Sequence, residues 1–162
     1  MTSNLSMKNI LESELSKDSF FNKTYISDRI KLESDENVCL PSYCINSAGI
    51  RFLLIARFHD AKIVQAVCNE KYGKNCIIMQ IDFNGTTTEF KAGYRKFNIY
   101  FINAKNTEIP KKCKDLHIIS LDCTQNSQKL VVRMELVYFT GTQENRCLFE
   151  ILCDGAEVKP FN

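Results

Sequence analysis

Apolar and polar residues alternate along much of the chain after residue 49. Successive side chains of a strand point to opposite faces of a sheet, so this alternation predicts strands with one buried face. The predicted strands cover residues 50–58, 76–83, 86–91, 96–103, 116–123, 129–139 and 146–153. The pattern therefore predicts a mainly antiparallel sheet.

Asn84 and Gly85 separate two of these segments, 76–83 and 86–91. Both residues accept a positive φ angle, which the favoured two-residue hairpin turns require. The pair therefore predicts a tight hairpin between the two strands.

Two other segments have helical spacing. Residues 4–17 contain helix-forming residues and a broad apolar arc. In residues 60–72, apolar side chains gather on one side at about 100° per residue, with Asp60 placed to cap the start and Gly73 placed to end the helix. The predicted fold class is α+β, mainly antiparallel β, with about seven strands, one N-terminal helix and one middle helix.

The length of 162 residues and the apolar share of 44% are those of one globular domain. A polar stretch at residues 33–37 is the best linker candidate. We therefore divide the chain into an N-terminal helical or extended segment, 1–37, and a single β-rich domain, 38–162. Bulky residues such as Phe20 and Phe21 predict that the N-terminal segment packs on the domain.

Charged residues interrupt the first nineteen positions, so no apolar signal-peptide core is predicted. The longest apolar run, residues 52–56, is far shorter than the about 20 residues that span a membrane. We therefore expect a soluble intracellular protein, cytoplasmic or nuclear, with no membrane partner and with its eight cysteines reduced. No two cysteines have the Cys-x-x-Cys spacing of a zinc site, so neither a metal nor a cofactor is predicted.

The sequence contains no catalytic motif. It lacks a GxSxG elbow, a phosphate-binding GxxxxGK loop and a dinucleotide-binding GxGxxG turn. The two histidines, His59 and His117, have no nucleophile at a recognisable spacing, and the strand parity that His117 shares with Ile119 favours a structural role. The sequence predicts a protein without enzymatic activity.

The net charge is only +2, but residues 71–114 hold nine basic and three acidic residues. Within them, residues 90–114 interleave basic and aromatic side chains, and single-stranded nucleic acids need both, because rings stack on bases and cations hold phosphates. The candidate residues for such a site are Lys91, Arg95, Lys96, Tyr100, Lys105, Lys111, Lys112 and Lys114. The competing interpretation is a solvated hairpin face, because Phe97 and Phe101 share the predicted core parity. The outward set is then Tyr100 with Lys96 and Asn98, so only some of the aromatic residues could be presented.

The outward face of the predicted strand 129–139 carries a second candidate surface. Its apolar residues are Val131, Val137 and Phe139, which accompany Arg133 and Glu135. Apolar side chains on such a face indicate that it is covered, either by the N-terminal segment of the same chain or by another protein.

These patterns favour a non-enzymatic intracellular binding module that presents a β-rich surface to a protein partner. The alternative is a single-stranded nucleic-acid-binding domain that uses residues 90–114. A closed sheet around an apolar ligand is disfavoured, because bulky side chains fill the core face of every predicted strand.

Overall fold

The structure, a computed structural model, describes residues 4–6, 20–22, 24–25, 39–41, 48–105 and 114–161. The strands are β1 (Asn4–Ser6), β2 (Cys39–Pro41), β3 (Lys62–Lys71), β4 (Lys74–Asp82), β5 (Lys96–Ile102), β6 (Lys114–Asn126), β7 (Lys129–Thr140), β8 (Gln143–Cys153) and β9 (Gly155–Pro160). β1 and β2 form a separate antiparallel pair. The other seven strands form one antiparallel sheet in the order β8-β7-β6-β3-β4-β5-β9.

The mainly antiparallel seven-stranded architecture is confirmed, and β4 to β8 lie where alternation predicts them. Met79, Ile81, Phe97 and Met134 occupy predicted inward positions and are completely buried. These strands have apolar residues on one parity and polar or mixed residues on the other, so burying one face determines their register.

The predicted strand at 50–58 is wrong, because this segment forms the helix α1 (Ala48–Ile55). Leu53 and Ile55, which the strand prediction turns outward, are as deeply buried as Phe52. A segment that is apolar on both parities suits a helix that is buried on nearly all sides, and its apparent alternation carries no information about the period.

The predicted middle helix at 60–72 is also wrong, because this segment forms β3. Its β-branched residues Ile63, Val64 and Val67 suit a strand, and β3 pairs with β4 along its whole length apart from a register shift after Ile63. Gly73 does not end a helix. With Tyr72 it forms the positive-φ turn of the β3–β4 hairpin, at φ angles of 71° and 56°.

The predicted hairpin at Asn84-Gly85 is half right. A turn exists, because the Thr86 N–H donates to the Phe83 carbonyl at 3.1 Å and Gly85 has a φ of 90°. Residues 86–91 form no strand, however, and β4 pairs with β5 instead. The side chains of this connection pack into the core, since Phe90 stacks on Phe21 at a ring-centroid distance of 5.4 Å.

The chain termini differ from prediction too. Residues 4–6 of the predicted N-terminal helix are strand β1, and residues 7–17 lie outside the described part of the chain. Residues 155–160, which lie beyond the last predicted strand, form β9, and β9 completes the sheet by pairing with β5. In the N-terminal segment, Phe21 and Tyr25 are buried in the core, and the Tyr25 hydroxyl donates to the Ile55 carbonyl at 2.8 Å.

The sheet curves around an aromatic core. β8 leads through Asp154 directly into β9, although these two strands are the first and last of the sheet, so its edges come near each other at this corner. α1 packs on β9 and β6 inside the curve. Phe52 of α1 lies at the centre, with ring-centroid distances of 4.8 Å to Phe97 and 5.3 Å to Phe21.

Candidate protein-interaction surface

The outer face of β7 and β8 contains the apolar cluster that the sequence predicts. Antiparallel pairing places outward residues of the two strands side by side, so that each row across the face holds one residue from each strand. The rows are Val131 with Leu152, Arg133 with Glu150, Glu135 with Leu148, Val137 with Arg146 and Phe139 with Glu144. We call these ten residues the β7–β8 face.

The three predicted residues differ in exposure. Val131 is buried, with 5% of its surface accessible, whereas Val137 is half-buried and Phe139 is 36% exposed. Only the end of the β7–β8 face near Phe139 can therefore offer these apolar side chains to a partner.

Leu148 is the residue that the sequence analysis missed. It is 72% exposed, more than any other large apolar side chain in the described part of the chain. It shares strand parity with Arg146 and Glu150, and an apolar residue among charged neighbours on a solvent face is a signal that the sequence does contain.

Two ion pairs lie on either side of Leu148. Arg133 Nε donates to Glu150 Oε2 at 2.8 Å, and Arg146 Nη1 lies 3.9 Å from Glu135 Oε1. Both pairs are largely exposed, so each contributes little to stability. The β7–β8 face thus carries an apolar centre with charges of both signs beside it.

β8 is also an edge of the sheet. Beyond it, the Lys105 N–H donates to the Leu152 carbonyl at 2.8 Å, and among the described residues this is the only bridge to its outer side. Backbone groups of a strand alternate in direction, so the groups of Leu148, four residues earlier, point to the same outer side. Leu148 therefore directs its backbone N–H and carbonyl away from β7 at this edge, and its side chain is exposed among the described residues.

The basic and aromatic candidates do not form one cluster. Arg95 pairs with Asp82 at 3.2 Å, and Arg95 and Lys96 line a cavity of about 430 Å³ with Tyr94 and Phe161 at one end of β5. Lys91 lies just before this cavity in the chain and is exposed.

The remaining candidates lie elsewhere. Tyr100 follows Lys96 by about 13 Å along β5, and Lys105 lies beyond the opposite end of the strand. Lys114 begins β6, and Lys111 and Lys112 lie outside the described residues.

Tyr100 sits in an ordered ionic cluster on the outer face. Lys71 Nζ lies 4.0 Å from the centre of its ring, and Lys159 Nζ lies 5.7 Å from it. Glu157 accepts hydrogen bonds from Lys71 at 2.8 Å and from the Tyr72 hydroxyl at 3.0 Å. The hydrogen bond from Lys71 lowers the pKa of Glu157, and the same bond raises the pKa of Lys71. A base that stacked on this ring would have to compete with Lys71.

A larger cavity, of about 640 Å³, lies at the end of the β3–β4 hairpin and is lined in part by Cys68, Cys76, Asn103 and Lys105. Burial raises the pKa of the Cys76 thiol and raises that of the nearby Cys153 to about 12. Both thiols are free and stay protonated at neutral pH, so they are poor nucleophiles. No group of metal-ligating side chains occurs among the described residues.

The two histidines take part in contacts within the fold. His59 Nδ1 donates to the Ile119 carbonyl at 2.9 Å, and His117 pairs with Val137 across β6 and β7.

In the described part of the chain, no helix is long and apolar enough to cross a membrane. Comparisons with protein-family models, with curated proteins and with solved structures find no significant match to this chain.

Proposed function

We propose that this protein is a non-enzymatic intracellular binding module that takes a protein partner at the β7–β8 face and the adjoining edge of β8. The observation that supports the proposal most is Leu148, an exposed apolar side chain on an edge strand. The partner that fits is an extended protein segment that adds a strand to the sheet, because backbone hydrogen bonds and side-chain contacts are both on offer there.

The regularity of β8 supports this mode of binding. Its eleven residues pair with β7 without a register shift and contain no proline. Soluble proteins commonly protect such edges with bulges, prolines, short strands or a covering element. The opposite edge strand has a covering element, because α1 packs against β9. Among the residues that the structure describes, only the Lys105 bridge lies at the β8 edge, and this contrast with β9 supports β8 as the edge that takes the partner.

The alternative is single-stranded nucleic-acid binding through residues 90–114. The cavity beside Tyr94, Arg95 and Lys96 supports it, since an exposed ring and two cations lie together there. A continuous path for a nucleic-acid strand has less support, because Lys71 covers the Tyr100 ring and Lys105 lies at the other end of β5. We therefore rank this function second.

Site-specific photo-crosslinking tests the proposal. A photoreactive residue replaces Leu148 in the full chain, and the matched control carries it at Val64, which is 52% exposed on β3. We expect polypeptide adducts at position 148 but not at 64, and nuclease treatment should leave them unchanged. The purified adduct partner should bind the wild type and lose binding to Phe139→Glu.

Two results would count against the proposed protein-binding function. Equal adduct yields at the two positions would contradict the proposal. Micromolar oligonucleotide binding that falls with salt by roughly 0.7 log units per log unit for each phosphate contact, and is lost when Lys91, Arg95 and Lys96 become Glu, would establish the alternative instead.

A further inference from the structure

A cavity at the start of β5 has the size and lining of a pocket for a small ligand. Its volume is about 430 Å³, and its lining consists of Gly93, Tyr94, Arg95, Lys96 and Phe161. We call it the β5-end cavity. Ligand pockets commonly measure about 300–1,000 Å³, so its size suits a single nucleotide better than a larger cofactor.

We propose that the β5-end cavity binds a mononucleotide, whose base stacks on Tyr94 and whose phosphate contacts Arg95 and Lys96. This inference goes beyond the proposed protein-binding function. β6, β3 and β4 lie between β5 and β7 in the sheet, so the β5-end cavity and the β7–β8 face are separate sites.

The ring that would take the base is held in place by the core. The centre of the Tyr94 ring lies 5.4 Å from that of Phe20 and 6.4 Å from that of Phe97. Phe97 stacks near one face of the Tyr94 ring, yet 38% of the Tyr94 surface is exposed. A ring that its neighbours already orient loses little freedom when a ligand stacks on it. Because every base has a π-face, such stacking does not require a particular base.

Two cations would hold the phosphate. Arg95 Nε lies 3.2 Å from Asp82 Oδ1, and the Arg95 side chain is still 53% exposed. A guanidinium has further N–H donors on its two terminal nitrogens, and their geometry matches a phosphate group. Lys96 adds a second positive charge to the lining.

The balance of charge favours an anion. Asp82 offsets one of the two positive charges, and it is itself fixed by the Asn84 N–H, which donates to Asp82 Oδ1 at 2.9 Å. Among the described residues, no acidic side chain lines the cavity. A net positive charge therefore remains at the lining, and it attracts a negatively charged ligand.

Hydrogen bonds fix the backbone of the lining. The Phe161 N–H donates to the Lys96 carbonyl at 2.9 Å, and the Tyr94 N–H donates to the Lys91 carbonyl at 3.1 Å. The lining is therefore formed before a ligand enters, which lowers the entropy cost of binding.

A free mononucleotide and one nucleotide of a strand share the same base and phosphate chemistry. The next candidate residues along the chain do not extend the cavity, because Lys71 covers the Tyr100 ring and Lys105 lies beyond the other end of β5. These positions favour the free nucleotide, and the experiment below distinguishes the two sources.

NMR titration of the isotope-labelled full chain with adenosine monophosphate tests the proposal, because it detects weak binding and locates the site. We expect saturable shifts of the amide signals of Gly93 and Lys96. Adenosine and inorganic phosphate should each bind at least about 10-fold more weakly, because each retains only the stacking contact or only the charge contacts.

Two substitutions separate the base contact from the phosphate contact. Tyr94→Leu should weaken binding of adenosine monophosphate roughly 10-fold and leave inorganic phosphate unchanged. Lys96→Gln should weaken binding of adenosine monophosphate and of inorganic phosphate by roughly 5-fold, but leave adenosine unchanged. A structural disturbance would weaken all three ligands alike. Lys105→Gln is the matched charge control and should change none of these affinities, because it lies at the opposite end of β5.

Three results would overturn the inference. The first is the absence of saturable shifts at about 10 mM adenosine monophosphate. The second is a set of shifts that leaves Gly93 and Lys96 unmoved. The third is an affinity that neither Tyr94→Leu nor Lys96→Gln changes.

A strand of about ten adenylate nucleotides tests the source of the ligand. If it binds more than about 100-fold more tightly than adenosine monophosphate and Lys105→Gln weakens it, the cavity serves a nucleic-acid strand and the free nucleotide is excluded. Weaker enhancement, unaffected by Lys105→Gln, supports the free nucleotide. None of these measurements involves Leu148, so their failure leaves the crosslinking test of the proposed function unchanged.

Discussion

Gly49 lets α1 lie directly against β9, and replacing it tests the packing of the whole domain. A Cβ atom at position 49 would lie 2.0 Å from the carbonyl oxygen of Ala156 and 2.5 Å from its carbonyl carbon. Both are backbone atoms of a strand that is paired with β5, so neither can rotate away. Restoring an ordinary contact of 3.4 Å would move α1 by about 1.4 Å (3.4 minus 2.0).

The expected free-energy change has two opposing contributions. Alanine is favoured over glycine in a helix by about 1 kcal/mol, so the substitution would stabilise a helix with open space around it. Overpacking a filled core costs roughly 1–3 kcal/mol, and the upper end applies because moving α1 also displaces Phe52 from the rings around it. We therefore expect Gly49→Ala to lower the free energy of unfolding by about 2 kcal/mol.

Urea denaturation followed by circular dichroism measures this change. Gly155→Ala is the matched control, because a Cβ atom at position 155 would have open space within 4 Å and the φ angle of Gly155 is not positive. The control should be neutral or more stable by about 0.5 kcal/mol. If Gly49→Ala were as stable as the wild type or more stable, helix propensity alone would explain the data and the close approach of α1 to β9 would be refuted.

Three further predictions concern the connections, the ionic cluster and the thiols. Gly85→Val should lower the free energy of unfolding in urea by more than about 1 kcal/mol, because φ is 90° there, and an unchanged midpoint would contradict the turn. The hydrogen bond from Lys71 is the main cause that lowers the pKa of Glu157 below its ordinary value of 4.5. The ionised Glu157 carboxylate therefore stabilises the fold above pH 4.5, and this stabilisation is lost as the pH falls through the lowered pKa. Urea titrations should therefore show that the free energy of unfolding falls less between neutral and acidic pH for Glu157→Gln than for the wild type. Equal falls in the two proteins would contradict this. Timed alkylation read by mass spectrometry should modify Cys68 before Cys153, whose pKa burial raises to about 12, and the reverse order would contradict the burial.

The strands that could be predicted are those with a single buried face. In β4, Ile77, Met79 and Ile81 are buried while Gln80 and Asp82 are only partly so, and this contrast is present in the sequence. β5, β7 and β8 have the same contrast. For such segments the period of the apolar residues is sufficient, because burying one face of a strand permits only one register.

The exchanged helix and strand could not be predicted from period alone. α1 is buried on nearly all sides, so its sequence has no polar stripe at helical spacing. β3 is exposed for much of its length, since β6 pairs with it only at Lys62 and His117, and its sequence therefore has no strand-like alternation. Tertiary environment decided both elements.

The candidate surface was predicted in part for a similar reason. Alternation in β7 places Val131, Val137 and Phe139 on the outer face, but their exposure depends on the strands beside them. The availability of Leu148 depends on β8 being the last strand of the sheet. Strand order follows from contacts between distant parts of the chain, and no local pattern in the sequence contains it.

The corner at Asp154 connects this long-range order to the proposed interface. Its carboxylate pairs with Lys129, accepts a hydrogen bond from Asn103 at 2.9 Å and lies 3.6 Å from Lys74, so the starts of β7 and β4 and the end of β5 meet at one charge. The hydrogen bond from Lys129 lowers the pKa of Asp154, which keeps it ionised.

A fixed corner also fixes Leu152, two residues earlier, with its carbonyl toward Lys105. Because backbone direction alternates along a strand, the same contacts determine that Leu148 presents its hydrogen-bonding groups outward. The ionic corner and the edge chemistry of β8 are therefore two consequences of one topology, in which β8 and β9 are consecutive in the chain and lie at opposite edges of the sheet.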